Sequence, residues 1–134
     1  MTPKEHLIRV KRYHDLIQEI RTEIQMMNST KDGLTGMSFD KELVQTSLTD
    51  TGLENQIILI EEKRKKLVQL EGSYHRIRED VQSRIYKLWV EDEQKVLKMR
   101  YLDFLEWSVI CERMNKTQDA VFSLHRRALN HYIC

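Results

Sequence analysis

Apolar residues near the start of the chain recur at alternating spacings of three and four: Val10, Tyr13, Ile17, Ile20, Ile24 and Met27. That rhythm is the a/d seam of a coiled coil, narrower than the stripe of a helix lying on a globular core. Thr2 is placed to cap the helix and Pro3 to open it, since a proline at the first helical position loses no hydrogen bond. The pattern predicts a helix over residues 3–28 that needs a partner helix.

A second series, Ile60, Leu67, Leu70, Tyr74, Ile77, Val81 and Leu88, predicts a long helix from about residue 53 to 90. Gly72 falls inside it, and a glycine costs a helix interior about 1 kcal/mol relative to alanine. The expectation there is a weak point or a close helix approach. Between the two series runs "NSTKDGLTGMSFDKELVQTSLTDTG", which has no sustained period and holds three of the four glycines. It reads as a mobile loop over about 28–52. Two seamed helices joined by such a loop fold back most simply as an antiparallel hairpin, and a hairpin alone has little core, so self-association is expected.

After Val90 the period shortens. Three helices are expected near 92–102, 106–114 and 117–131, the first opened by the acidic run Glu91, Asp92 and Glu93. Val96, Leu97 and Tyr101, then Trp107, Ile110 and Met114, then Val121, Leu124, Ala128 and Leu129 supply one small core. Asn115 sits at the turn between the last two helices and tolerates a left-handed backbone; Thr117 follows as a cap. The fold class is therefore all-α: a long antiparallel, coiled-coil-like helical hairpin over 1–90, followed by a three-helix helix-turn-helix domain over 91–134.

In a helix-turn-helix the second helix of the motif enters the major groove and presents its early exposed residues to base edges. Removing the core positions from 117–131 leaves Gln118, Asp119, Phe122, Ser123 and Arg126 as the base-facing set. Arg113, Lys116, Thr117 and Arg127 flank them as phosphate contacts. An acid at the second helical position has two readings. Asp119 either reinforces the helix start through the dipole or accepts a hydrogen bond from cytosine N4.

Composition narrows the function classes. Charged residues make up 32% of the 134 and aromatics 7%, which suits wet helical surfaces. A formal charge of +1 supplies no bulk attraction to nucleic acid, so binding has to come from local placement of Lys and Arg. The two cysteines, Cys111 and Cys134, make no disulfide framework, and with His125 and His131 they match no zinc spacing; a free C-terminal thiol and exposed imidazoles are expected instead, with Cys111 a small buried residue on the middle helix. No phosphate loop, nucleophile elbow or paired-carboxylate site is present in the sequence, so neither catalysis nor a cofactor or metal is expected. No apolar run reaches membrane-span length and the start lacks a signal-peptide core, which reads as a cytoplasmic, non-membrane protein.

The run "EQKVLKMRYLDFLEWSVICERMNKTQDAVFSLHRRAL" resembles the region-four DNA-binding domain of bacterial sigma factors. The residues that carry the likeness are Val96, Leu97, Arg100, Tyr101, Ile110, Thr117, Val121, Arg127, Ala128 and Leu129. The sequence departs from that pattern at Phe104, where a glycine is usual, and at Glu106, where a Ser or Thr caps the middle helix. Cys111 replaces an alanine and Asn115 the turn glycine; Asp103 is a substitute cap. With Trp107, the "LHRRAL" ending, the Ser/Thr/Gly loop and the two long helices, nearly the whole chain is similar to phage late-transcription regulators of the ArpU/RinA kind.

That resemblance implies a sequence-specific regulator in a bacterial host cell. Its partners would be double-stranded DNA, a second or further copies of itself as dimer or tetramer, and RNA polymerase at late genes. Two alternatives stand beside it: a DNA-packaging adaptor like a small terminase subunit, and a coiled-coil interaction protein without DNA binding.

Overall fold

The computed structural model describes residues 1–36 and 51–134. All regular structure among the described residues is helical: α1 (Pro3–Gly36), α2 (Thr51–Ile85), α3 (Glu91–Leu97), a π-helical turn (Lys98–Leu102), α4 (Trp107–Met114) and α5 (Gln118–His131). A long helical hairpin followed by small helices is the architecture the hydrophobic pattern predicts. No described helix is long and apolar enough to cross a membrane.

The start of α1 follows from its first five residues. The Glu5 amide donates to Thr2 Oγ1 at 3.2 Å, and the Thr2 amide donates to Glu5 Oε2 at 3.1 Å. This reciprocal capping box satisfies two backbone donors at once.

The helix ends differ from expectation. α1 continues to Gly36 and α2 begins at Thr51, so residues 28–36 and 51–52 of the expected loop are helical. Serine, threonine and glycine lower helix propensity without forbidding it, and a helix already nucleated propagates through them. The rest of that loop, 37–50, lies outside the described residues. α2 stops at Ile85 rather than near 90, and the chain turns there through the Lys87 amide to Arg84 O at 3.2 Å and the Leu88 amide to Ile85 O at 3.0 Å.

The contacts divide the chain into two compact units: Asp15–Gly72, and Met1–His14 together with Ser73–Cys134. In the first, α1 and α2 run antiparallel. Arg21 Nη2 donates to Glu71 Oε1 at 2.9 Å, Lys63 Nζ to Glu23 Oε2 at 2.6 Å, and Gln56 Nε2 to the Met27 carbonyl at 2.8 Å. Ile17, Ile20 and Ile60 are buried on the seam, while Ile58, Leu59 and Val68 remain exposed.

The second unit is larger than the 91–134 domain expected from sequence, because the first turns of α1 and the last turns of α2 belong to its core. Leu7, Val10, Val81 and Ile85 are all but fully buried, in one cluster with Val96, Leu97, Ile110, Val121 and Ala128. Burial of this kind stabilises by about 25 cal/mol per Å² of apolar surface, and three short helices alone offer little of it. The hairpin base completes the core.

A polar clasp pins the C-terminus to that base. His6, 6% exposed, lies between Tyr132 Oη at 2.7 Å from Nδ1 and Asp80 Oδ2 at 3.3 Å from Nε2. Burial first, then Arg9, lowers the His6 pKa, so the ring is neutral. A carboxylate only accepts, so Nε2 carries the proton and Nδ1 accepts from the tyrosine hydroxyl. Arg84 joins Asp80 at 3.1 Å to the Ile133 carbonyl at 3.0 Å.

Candidate nucleic-acid interface

α4 and α5 form the helix-turn-helix, and the turn works as its sequence requires. Asn115 ends α4 with φ 56° and ψ 45°, the left-handed region that Asn enters at least cost after Gly. Its amide bonds back to the Glu112 carbonyl at 3.2 Å and the Lys116 amide to the Cys111 carbonyl at 3.1 Å. Thr117 then caps α5, its Oγ1 accepting from the Ala120 amide at 3.2 Å.

On α5, Val121, Leu124 and Ala128 are buried and fix the inner side of the helix. Gln118, Asp119, Ser123 and Arg126 are exposed, as is Asn130, which the sequence reading left out. Asn130 lies one turn beyond Arg126 on the same face, so the i, i+4 spacing was its signal. Asp119 is the only acid in the first turn of α5, and its side chain makes no hydrogen bond or ion pair among the described residues.

Phe122 differs from the other base-facing candidates. It is only partly exposed, because the Trp107 indole meets its ring edge-on at 5.1 Å. It tethers α5 to α4 as well as bordering the outer face.

The flanking cations are exposed, and they divide. Arg113 and Arg126 have no ion-pair partner among the described residues. Lys116 reaches Asp92 at 3.8 Å, an exposed pair of little net strength that a phosphate can displace. Arg127 lies toward the start of α3, lining a shallow groove with Val90, Asp92, Lys116 and Ser123.

The approach to α4 departs from expectation in an instructive way. The expected helix over 92–102 is α-helical only to Leu97 and then widens into the π turn, closed by the Asp103 amide to Lys98 O at 2.9 Å. Phe104 takes φ 58°, in the left-handed region that favours glycine. Its ring is paired with His14 at 4.7 Å and with the Lys11 ammonium at 5.5 Å, contacts that offset the backbone cost. Asp103 is not the substitute cap: Glu106 is the N-cap residue of α4, and no side chain bonds the helix start.

Of the two imidazoles expected to be exposed, His131 is exposed and His125 is not. His125 is half-buried, shares a 2.7 Å hydrogen bond with Tyr101 Oη, and stands edge-on to Trp107 at 4.8 Å. Burial, then Lys4 and Arg100, lowers its pKa to about 4. His131 Nδ1 donates to Glu93 Oε1 at 2.6 Å. Glu93 is 3% exposed, so this acid of the α3 start is a buried anchor and not a solvated dipole partner. Cys111 and Cys134 are free thiols, Cys134 exposed and Cys111 only partly buried instead of buried as expected. The chain matches no family model, no curated protein and no solved structure.

Proposed function

We propose that the protein is a sequence-specific DNA-binding regulator whose reader is the outer face of α5. The observation that carries this is a rigidly capped helix with a buried inner side and an exposed polar outer side. Gln118, Asp119, Ser123 and Arg126 project from it, with Arg113, Lys116, Thr117 and Arg127 around the turn. Phosphate contacts by the flanking cations fix the register of such a helix, and the outer residues meet base edges.

The likeness to phage late-transcription regulators supports a role at late genes beside RNA polymerase, in the cytoplasm of a bacterial host. Exposed Ile58, Leu59 and Val68 on the hairpin unit support self-association, which lets two readers address paired half-sites.

Fluorescence anisotropy on labelled genomic duplexes, repeated at rising salt, tests the reading. The logarithm of the affinity falls linearly with the logarithm of salt, with a slope of about −0.9 per phosphate neutralised. Arg126→Ala weakens binding to the preferred duplex by about tenfold or more, the scale of one lost base contact. Absence of salt-dependent binding to any fragment contradicts the proposal.

A further inference from the structure

Residues from the start of α1, the π-helical turn, α4 and α5 line a cavity of about 200 Å³. Three of its lining residues are cations, Lys4, Lys11 and Arg100, and none is an acid. Its walls are rings. Tyr101, Phe104, Trp107 and His125 all border it.

Two of the cations, Arg100 and Lys11, stand over those rings. The Arg100 guanidinium stands 4.7 Å from the Trp107 centroid and donates to the Leu105 carbonyl at 3.1 Å, which fixes its plane. Lys11 covers Phe104 at 5.5 Å. Lys4 sits in the first turn of α1, the positive end of the helix dipole, where a cation is electrostatically disfavoured. Burial is the main cause of the low His125 pKa, and the charges of Lys4 and Arg100 add to it in the same direction.

A site that concentrates positive charge around aromatic walls suits an anion attached to a flat apolar body. The carboxylate or phosphate meets Arg100 and Lys4, and the ring takes the place of water against Trp107 and Phe104. The size agrees: the volume lies below the roughly 300–1,000 Å³ of drug-sized sites and holds a single ring with its anionic head.

The geometry points to this cavity as a binding site for a small monocyclic aromatic anion. Its occupant contacts His125, a residue of α5, and Trp107, which holds Phe122 of α5. The binding itself does not depend on whether α5 reads DNA.

The test is a nuclear magnetic resonance titration of the isotope-labelled full chain with phenyl phosphate, inorganic phosphate and benzyl alcohol in parallel. Phenyl phosphate gives saturable shifts at the Trp107 indole N–H and the His125 ring, half-complete below about 1 mM. The phosphate-only and ring-only probes bind at least about tenfold more weakly, since each supplies half of the recognition.

Lys4→Glu weakens phenyl phosphate by about tenfold or more, while the same charge reversal in the hairpin unit, Lys65→Glu, leaves it unchanged. Because an acid suits the first turn of α1, the loss at Lys4→Glu is not a loss of fold. Three results overturn the proposal: no saturable shift at Trp107 and His125, equal affinity for inorganic phosphate, or equal effects of the two charge reversals.

Discussion

The Trp107 indole meets the Phe122 ring edge-on, with centroids 5.1 Å apart and planes at 87°. The pair joins α4 to α5 and fixes the angle at which the outer face of α5 is presented. Edge-to-face pairs contribute about 0.5–1.5 kcal/mol beyond the area they bury. Phe122→Ala therefore costs roughly 1–2 kcal/mol, counting the area lost at a partly exposed ring. Urea unfolding of the Trp89→Phe background, where Trp107 is the sole tryptophan, measures it, and Trp107 emission shifts to longer wavelength.

Phe104 and Asn115 share a backbone region that penalises ordinary side chains. At Phe104 two effects separate: the ring's contacts with His14 and Lys11, and the cost of φ 58°. Phe104→Ala loses the ring and keeps the cost, whereas Phe104→Gly loses both. The glycine variant is accordingly the more stable of the two by about 1 kcal/mol, the reverse of the order in a helix. Thermal melting of the pair decides it.

His125 makes stability depend on pH. Its folded pKa of about 4 lies below the ordinary 6.5, so between those values the unfolded chain binds a proton that the folded chain refuses. Stability is full above about pH 6.5, falls as the pH drops toward 4, and levels off below. The buried His6, lowered in the same direction, adds to the same fall. The His125 share is roughly 1–2 kcal/mol once screening by water at this half-buried ring is allowed for. His125→Gln flattens the denaturation midpoint across that window, and a curve as steep as the wild type's contradicts the assignment.

Gly72 lies inside α2 at the last residue of the hairpin unit, its surroundings only partly exposed. A glycine kept there merely as a weak point is improved by Gly72→Ala, by up to about 1 kcal/mol. A methyl group that clashes with a closely approaching helix lowers stability instead. Hydrogen exchange along α2 reads the result residue by residue.

The helices were legible in the sequence because periodicity and caps are local. Thr2, Pro3, Asn115 and Thr117 stand where backbone chemistry requires them, and Val96, Leu97, Ile110, Val121 and Ala128 are buried as their spacing implies. What escaped depends on residues far apart in the chain. Val10 and Val81 follow the heptad rhythm of a coiled coil, yet they complete the core of the helix-turn-helix unit. Glu93 reads as one of three interchangeable acids until His131, thirty-eight positions later, reaches it. The cavity beside His125 needs Lys4 and Arg100 together, and no local pattern joins them.

The most direct measurement of the central claim is enrichment from a pool of randomised duplexes by the wild-type chain and by Asp119→Ala. The account predicts that the wild type enriches a defined sequence. Asp119→Ala then either relaxes preference at a cytosine, the mark of a base contact, or keeps the sequence and lowers the melting temperature, the mark of a residue that supports the helix start. A pool that emerges unenriched from the wild-type chain contradicts the claim that the outer face of α5 reads DNA.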